Sequence, residues 1–396
     1  MLKKIPFLWC VYSFSLFNNL VLIYPVYSIV FQEKGLSVAQ IGTALMWWSV
    51  SVILLQIPVG IFSDRLSRRN MLVFGNIIAA IAFFIFMIRP TFIGVLCGFG
   101  LWGLKWAIDA ACFQPMVYDN IRNKKKYLSI VGTCNSLKLI GLALSSLCSF
   151  LIFLGYDFLS WCTIGFMLLG IIVLMEMPRD VHVKNRKTTK PIRLNDIKAA
   201  TSFVFMRPQL LGIMGLIAIL DACGNMDEWL GLIALQLGYP EYAVGVLFFA
   251  ALICGAAGGI AVRWIKHVNE TKVPIMIALS GILLVMTAIW YNVWATVLMC
   301  LLWFLLSMCG NIVYASFQRN VSSTVRGRAT SLLEILMNVA TLFVYGTMTI
   351  GGTLGGEYKY SLFALGVLLL IASLYRFGFK NTKIKVQKPA NRAPRK

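Results

Sequence analysis

Charge is scarce in this sequence: Asp, Glu, Lys and Arg together make up 13% of it, and acids are the rarer sign, 15 against 36 basic residues. With 59% of its residues apolar, a 396-residue chain cannot hide its apolar mass behind its own polar surface, which excludes a soluble globular domain. Runs of about ten residues that alternate apolar and polar are also missing, which excludes a membrane β-barrel. Histidine occurs only twice, as His182 and His267, both in basic loop stretches. The ten cysteines stand singly within apolar segments and without metal-ligand spacing, so neither a structural disulfide nor a metal site is expected. No phosphate-cradling G-x-x-x-x-G-K-[ST] string occurs, so ATP hydrolysis is not the expected energy source, and nothing points to an enzyme.

Long apolar runs are what the sequence does contain. Backbone polar groups in hydrocarbon must pair within their own segment, so each run is expected to be a helix. The runs fall at 7–31, 38–62, 70–88, 92–118, 128–153, 157–177, 206–237, 241–264, 272–291, 294–318, 328–352 and 359–378. The expected fold is therefore an all-α membrane protein of twelve transmembrane helices in two six-helix, pseudo-symmetric halves. An N-terminal bundle (1–177) is followed by a polar linker (178–205), a C-terminal bundle (206–378) and a basic tail (379–396). The formal charge of +21 gathers almost wholly on the side of the two termini, leaving Lys34, Arg89 and Lys359 on the other. That asymmetry predicts both termini in the cytoplasm and argues against a nucleic-acid partner, since no soluble basic face remains. The first run is too long for a cleaved signal and carries Asn18 and Asn19 at its centre.

The halves can be compared for a repeat. After the second run the chain reads Gly60-x-x-x-Asp64-Arg65-x-x-Arg68-Arg69, and after the eighth it reads Gly258-x-x-x-Val262-Arg263-x-x-Lys266-His267. Glycine and basic positions recur at the same spacing while the acid is lost, as in diverged duplicates. The string GIFSDRLSRRN resembles the loop between helices 2 and 3 of the major facilitator superfamily, with Ser67 where a second glycine usually stands. FQEKGLS, QIPVG, Tyr118-Asp119 and RGRATSL are similar to strings in bacterial permeases and exporters of that superfamily. The resemblance implies a transporter of the bacterial cytoplasmic membrane, working as a monomer among membrane lipids on a small-molecule substrate. It also implies a cytoplasmic gate at Gly60, Asp64, Arg65, Arg68 and Arg69, with Gly60 allowing close helix approach. The helix 5 signature of drug–proton antiporters is absent, as is their helix 4 arginine, in whose neighbourhood Leu104-Lys105-Trp106 lies.

Charges inside hydrocarbon cost roughly 2.5 to 3.5 kcal/mol each, so those in the runs are the candidates for function. Lys105 and Asp109 lie one turn apart and can neutralise each other, while Lys138 reaches a similar depth, about 15 Å, from the next helix. That set is either a static neutral cluster or a place for substrate and protons. Asp221, Asp227, Glu228 and Glu334 have no basic companion in the second half, and Gly224-Asn225 is expected to interrupt helix 7 among them. Asp227 and Glu228 otherwise belong to a solvated outer vestibule. Five acids against two lysines leave three negative charges in excess, which favours protonatable carboxylates or a cationic cargo. Asn18, Asn19, Tyr24, Tyr27, Asn225, Asn311 and Tyr314 are candidate cavity-lining groups, or interhelical hydrogen bonders. Trp102 and Trp106 share the Lys105 neighbourhood and offer an aromatic wall to an organic cation.

The expectation from residues and resemblance together is a secondary transporter working by alternating access. It is driven by a proton gradient without a bound cofactor, and export is preferred. Uptake of a nutrient, or movement of an amphiphile between leaflets on the same fold, are the alternatives.

Overall fold

The computed structural model describes residues 6–121, 126–177, 207–262, 272–321, 326–354 and 356–374, all of them in helices or short connections. The first half comprises α1 (Phe7–Phe17), α2 (Tyr27–Glu33), α3 (Val38–Arg65), α4 (Arg68–Ile88), α5 (Phe92–Asn120), α6 (Tyr127–Cys148) and α7 (Tyr156–Glu176). The second comprises α8 (Pro208–Gly224), α9 (Leu230–Gln236), α10 (Glu241–Ala261), α11 (Val273–Ile289), α12 (Ala295–Asn320), α13 (Arg326–Leu354) and α14 (Lys359–Leu374). Among the described residues nine helical stretches are long and apolar enough to cross a membrane, and α1, α11 and α14 are shorter apolar helices. The expected linker, 178–205, and tail, 379–396, lie outside the described residues.

Most boundaries match the apolar runs to within a few residues. The exception is the first run, expected as one helix and found as two. Between α1 and α2 the chain turns through i to i−3 hydrogen bonds, such as Leu20 N to Phe17 O (3.1 Å) and Val26 N to Ile23 O (3.0 Å). Pro25 supplies no N–H there, and the amides of Asn18 and Asn19 bond elsewhere. The seventh run also breaks, as expected, passing from α8 through a 3-10 turn (Asn225–Trp229) into α9.

The two broken helices end alike. After α2, Leu36 N bonds Phe31 O and Gly35 takes a left-handed φ of 92°. After α9, Tyr239 N bonds Ala234 O and Gly238 has φ 86°. Only glycine enters that conformation without strain, so EKGLS and QLGYP are copies of one helix stop. Ser37 then caps α3 with a full capping box, its hydroxyl accepting from Gln40 N at 3.3 Å.

Among the described residues each half packs mainly on itself, and the joins between halves cluster on one side. We call it the far side, opposite the end where α1 starts and α7 finishes. There Gly42 and Gly352 of α3 and α13 have no room for a Cβ against Thr349 and Val38, and Gly245 of α10 has none against Ser149. A single buried apolar cluster runs through both halves from this side. A second, from Cys10 to Met177, belongs to the first half alone. Toward the terminal side Gly60, Gly132 and Gly310 meet nothing within 4 Å of a built Cβ. The expected close approach at Gly60 is therefore not made among the described residues in this conformation.

Packing of this kind makes a direct prediction. Gly258→Ala pushes a methyl into the Phe304 carbonyl of α12 and should cost roughly 1 to 3 kcal/mol of stability. Gly60→Ala should cost nothing measurable. Thermal unfolding of the two variants in the same detergent checks the contrast.

Candidate functional site

The end of α1 brings Asn18 against α5. Its amide donates to Asp109 Oδ2 at 2.9 Å, and its carbonyl oxygen accepts from Lys105 Nζ at 2.9 Å. Lys105 and Asp109 form the expected i,i+4 ion pair, with side chains 5% and 19% exposed. The three groups close a ring of charge-assisted hydrogen bonds, which is how such charges are held at depth. Asp109 Oδ1 is buried without a partner among the described residues. Lys138, half-buried on α6, lies in electrostatic range of both Asp109 and Lys105. Asn19 turns away, donating to Ser15 O at 2.9 Å and accepting from Ser145 at 3.4 Å, and so secures the break against α6.

The second break faces the first. Glu228, on the 3-10 turn, accepts hydrogen bonds from Tyr24 at 2.8 Å and from Tyr27. Asp227 accepts from Tyr24 at 3.4 Å. Tyr27 is 3% exposed and Trp229, beside the two acids, is fully buried. Asp227 and Glu228 are themselves half-buried, and hydroxyls from the other half supply hydrogen bonds that an open vestibule would leave to water. The carbonyl freed where α8 stops, that of Gly224, accepts from Trp303 Nε1 at 3.2 Å. Asn225 donates to Thr341 of α13 at 3.0 Å. One turn earlier, half-buried Asp221 has the Asn225 amide beside it and lies in electrostatic range of Glu334, itself half-buried on α13.

Aromatic rings fill the space between the clusters. Trp102 stacks on Phe99 (5.9 Å) and meets the edges of Tyr24 (6.1 Å) and Tyr27 (6.4 Å). Trp106 does not join it: it packs on Trp48 at 5.7 Å and is 47% exposed. The expected two-tryptophan wall is therefore built by Trp102 with Tyr24 and Tyr27, because the Trp106 ring reaches toward α3. Asn311, exposed, neighbours Gly259, and Tyr314 packs on Phe317, so both sit apart from these clusters toward the terminal side.

The loop motif has a role inside the first half. Arg68 pairs with Asp119 of α5, Arg69 donates to Met177 O at 2.9 Å, and Ser67 caps α4 through Asn70 N. The side chains of Asp64 and Arg65 lie outside the described residues. Sequence reading missed Trp303, Thr341 and Tyr345 as partners of the break. The last of these was signalled only by being a tyrosine in a transmembrane run.

Two broken, pseudo-equivalent helices crossing beneath a closed far side define a membrane transporter architecture. A family model for the Major Facilitator Superfamily matches residues 8–345, and the chain belongs to that superfamily. No curated protein matches the sequence. Among solved structures, the nucleoside transporter NupG is similar over 96% of this chain and 100% of its own, with 10% identity and TM-score 0.73. A D-xylose–proton symporter is similar over 93% and 96%, with 11% identity and TM-score 0.72. A bacterial homolog of the human lysosomal transporter Spinster, inward-facing and unoccupied, is similar over 94% and 95%, with 16% identity and TM-score 0.66. At these identities the likeness concerns the fold.

The ring at Asn18 predicts non-additive stability. Lys105→Met strands the Asp109 carboxylate and should cost about 3 kcal/mol, whereas Lys105→Met with Asp109→Leu should cost less than the single change. Unfolding of the single and double variants in detergent measures the coupling.

Proposed function

We propose that the chain moves a small organic solute across a bacterial cytoplasmic membrane by alternating access coupled to protons. The observation that carries this is the junction of Tyr24 and Tyr27 with Glu228, in which hydroxyls of one half are hydrogen-bonded to a carboxylate of the other. The basic residues place the terminal side in the cytoplasm. Twelve crossings follow, divided into rocking halves 1–177 and 206–378. With the joins between halves on the far side, at Gly42, Gly352 and Gly245, we read the conformation as inward-facing. The similar Spinster homolog is inward-facing as well.

Asp221, Asp227, Glu228 and Glu334 have no ion-pair partner among the described residues. Four negative charges at that depth cost too much to stand alone, so protons or a cationic group neutralise them. A proton on Glu228 weakens its hold on two hydroxyls and biases the halves toward opening on the far side, which is coupling by differential affinity. Export is the direction we assign, on the superfamily's habits, and uptake is the alternative. A second reading, movement of an amphiphile, draws on an apolar groove of about 430 Å³ between α3, α4 and α5, lined by Leu55, Val59, Phe62, Phe74 and Leu104.

Proteoliposomes with an imposed pH gradient, assayed with a panel of solutes in both gradient directions, test the proposal. Solute-dependent proton flux is expected in wild type, reduced at least about tenfold in Glu228→Gln and Asp227→Asn, roughly 1.4 kcal/mol or more in the transport barrier. Unchanged flux in both variants would remove these acids from the coupling. Transfer of lipid without solute-dependent flux would favour the second reading.

A further inference from the structure

Two sets of charged groups near the broken helices lack ion-pair partners among the described residues, and they carry opposite charge. The first is acidic. Asp221, Asp227 and Glu228 gather at the break of the second half, answered only by neutral donors from Tyr24, Tyr27 and Asn225. Beside them stands Tyr345 of α13, 1% exposed and in electrostatic range of all three carboxylates. Its hydroxyl makes no hydrogen bond to another described residue and is not among the unpaired atoms sealed from solvent. The ring is buried while the hydroxyl is not sealed in, so the hydroxyl opens onto space where a phenylalanine would serve the packing as well. It is accounted for if a guest occupies the place next to it.

The second set is basic. Lys105 is spent on Asp109 Oδ2 and Asn18, which leaves Asp109 as a single carboxylate facing two ammonium groups. Lys138 is half-buried, faces that cluster, and has no hydrogen bond or ion pair among the described residues. One ammonium in the first half and several carboxylates in the second are thus left for something else to complete.

The aromatic contacts give the separation. Trp102 lies three residues from Lys105 on α5, about 4.5 Å along the axis. Its ring meets that of Tyr24 at 6.1 Å, and the Tyr24 hydroxyl reaches Glu228 at 2.8 Å. The acidic and basic sets therefore lie to either side of Trp102 and Tyr24, which offer ring surface rather than charged groups between them. We infer that the cargo is an amphoteric solute with an apolar stem. Its cationic end sits against Asp221, Asp227, Glu228 and the Tyr345 hydroxyl, and its anionic end against Lys138. This rests on the transport function proposed above and goes beyond it by naming the chemical class. A simple organic cation would satisfy the acids and leave Lys138 unanswered; a simple anion would do the reverse.

A matched set of three probes separates these cases: ε-aminocaproate, its primary amide and its N-acetyl derivative. Binding to the purified full-length protein in detergent is measured by titration calorimetry. The zwitterion should bind at least about tenfold more tightly than either capped form. Glu228→Gln should erase its advantage over the N-acetyl form, and Lys138→Met its advantage over the amide, each in protein that keeps its thermal transition. Tyr345→Phe should weaken the zwitterion and the amide but leave the N-acetyl form unchanged. Equal binding of zwitterion and amide would leave a plain cation site and overturn the inference. So would the absence of binding by all three. Proton flux driven by some other solute, with none of these probes bound, would overturn the inference while leaving the transport function standing.

Discussion

Glu228 is a carboxylate inside a membrane bundle whose hydrogen bonds come from the opposite half of the chain. Tyr24 and Tyr27 can reach it only because the first helix breaks after Asn18 and the seventh breaks at Gly224. Each break exposes backbone groups that lipid would not tolerate, and each is repaired locally. Trp303 takes the Gly224 carbonyl, Asn19 bonds back to Ser15, and Thr341 holds Asn225. The far-side joins accompany the same junction, with glycine-lined contacts of α3 with α13 and of α6 with α10.

The two halves are alike in backbone and unlike in charge. Their first crossings both break and stop at a left-handed glycine, Gly35 or Gly238. Yet the first half holds its charges in a closed ring of Asn18, Lys105 and Asp109, while the second leaves its acids to neutral donors. The duplicated scaffold thus carries diverged electrostatics, an ion-paired frame in the first half and acids bonded by neutral donors in the second. The loop motif at Arg68 and Arg69 supports the frame, tying α4 to α5 and to the end of α7.

The fold was legible because its cause is crude and strong: apolar run length and the placement of Lys and Arg decide where helices lie. The Lys105–Asp109 pair was legible too, since an i,i+4 spacing fixes which side chains meet. The Gly224-Asn225 break was read from its residues, but the matching break after Asn18 was not, because Leu20 to Ile23 keep the run apolar through it. EKGLS against QLGYP held that information, in a repeat separate from the Gly60 and Gly258 strings. Pairings between halves, such as Tyr24 with Glu228, are separated by 204 residues and depend on how two bundles dock, which no local pattern encodes. Trp106 shows the remaining weakness: one turn from Trp102 on the same helix, its ring still goes to another neighbour.

The junction's control of the far side can be measured directly. Spin labels at Ser37 and Gly356, in a background with the ten cysteines replaced, report the far-side separation of the halves by pulsed electron resonance. Wild type should give one short distance, and Tyr24→Phe with Tyr27→Phe should shift a substantial fraction of molecules to a longer one. An unchanged distribution in the double variant would contradict a closure held by Glu228.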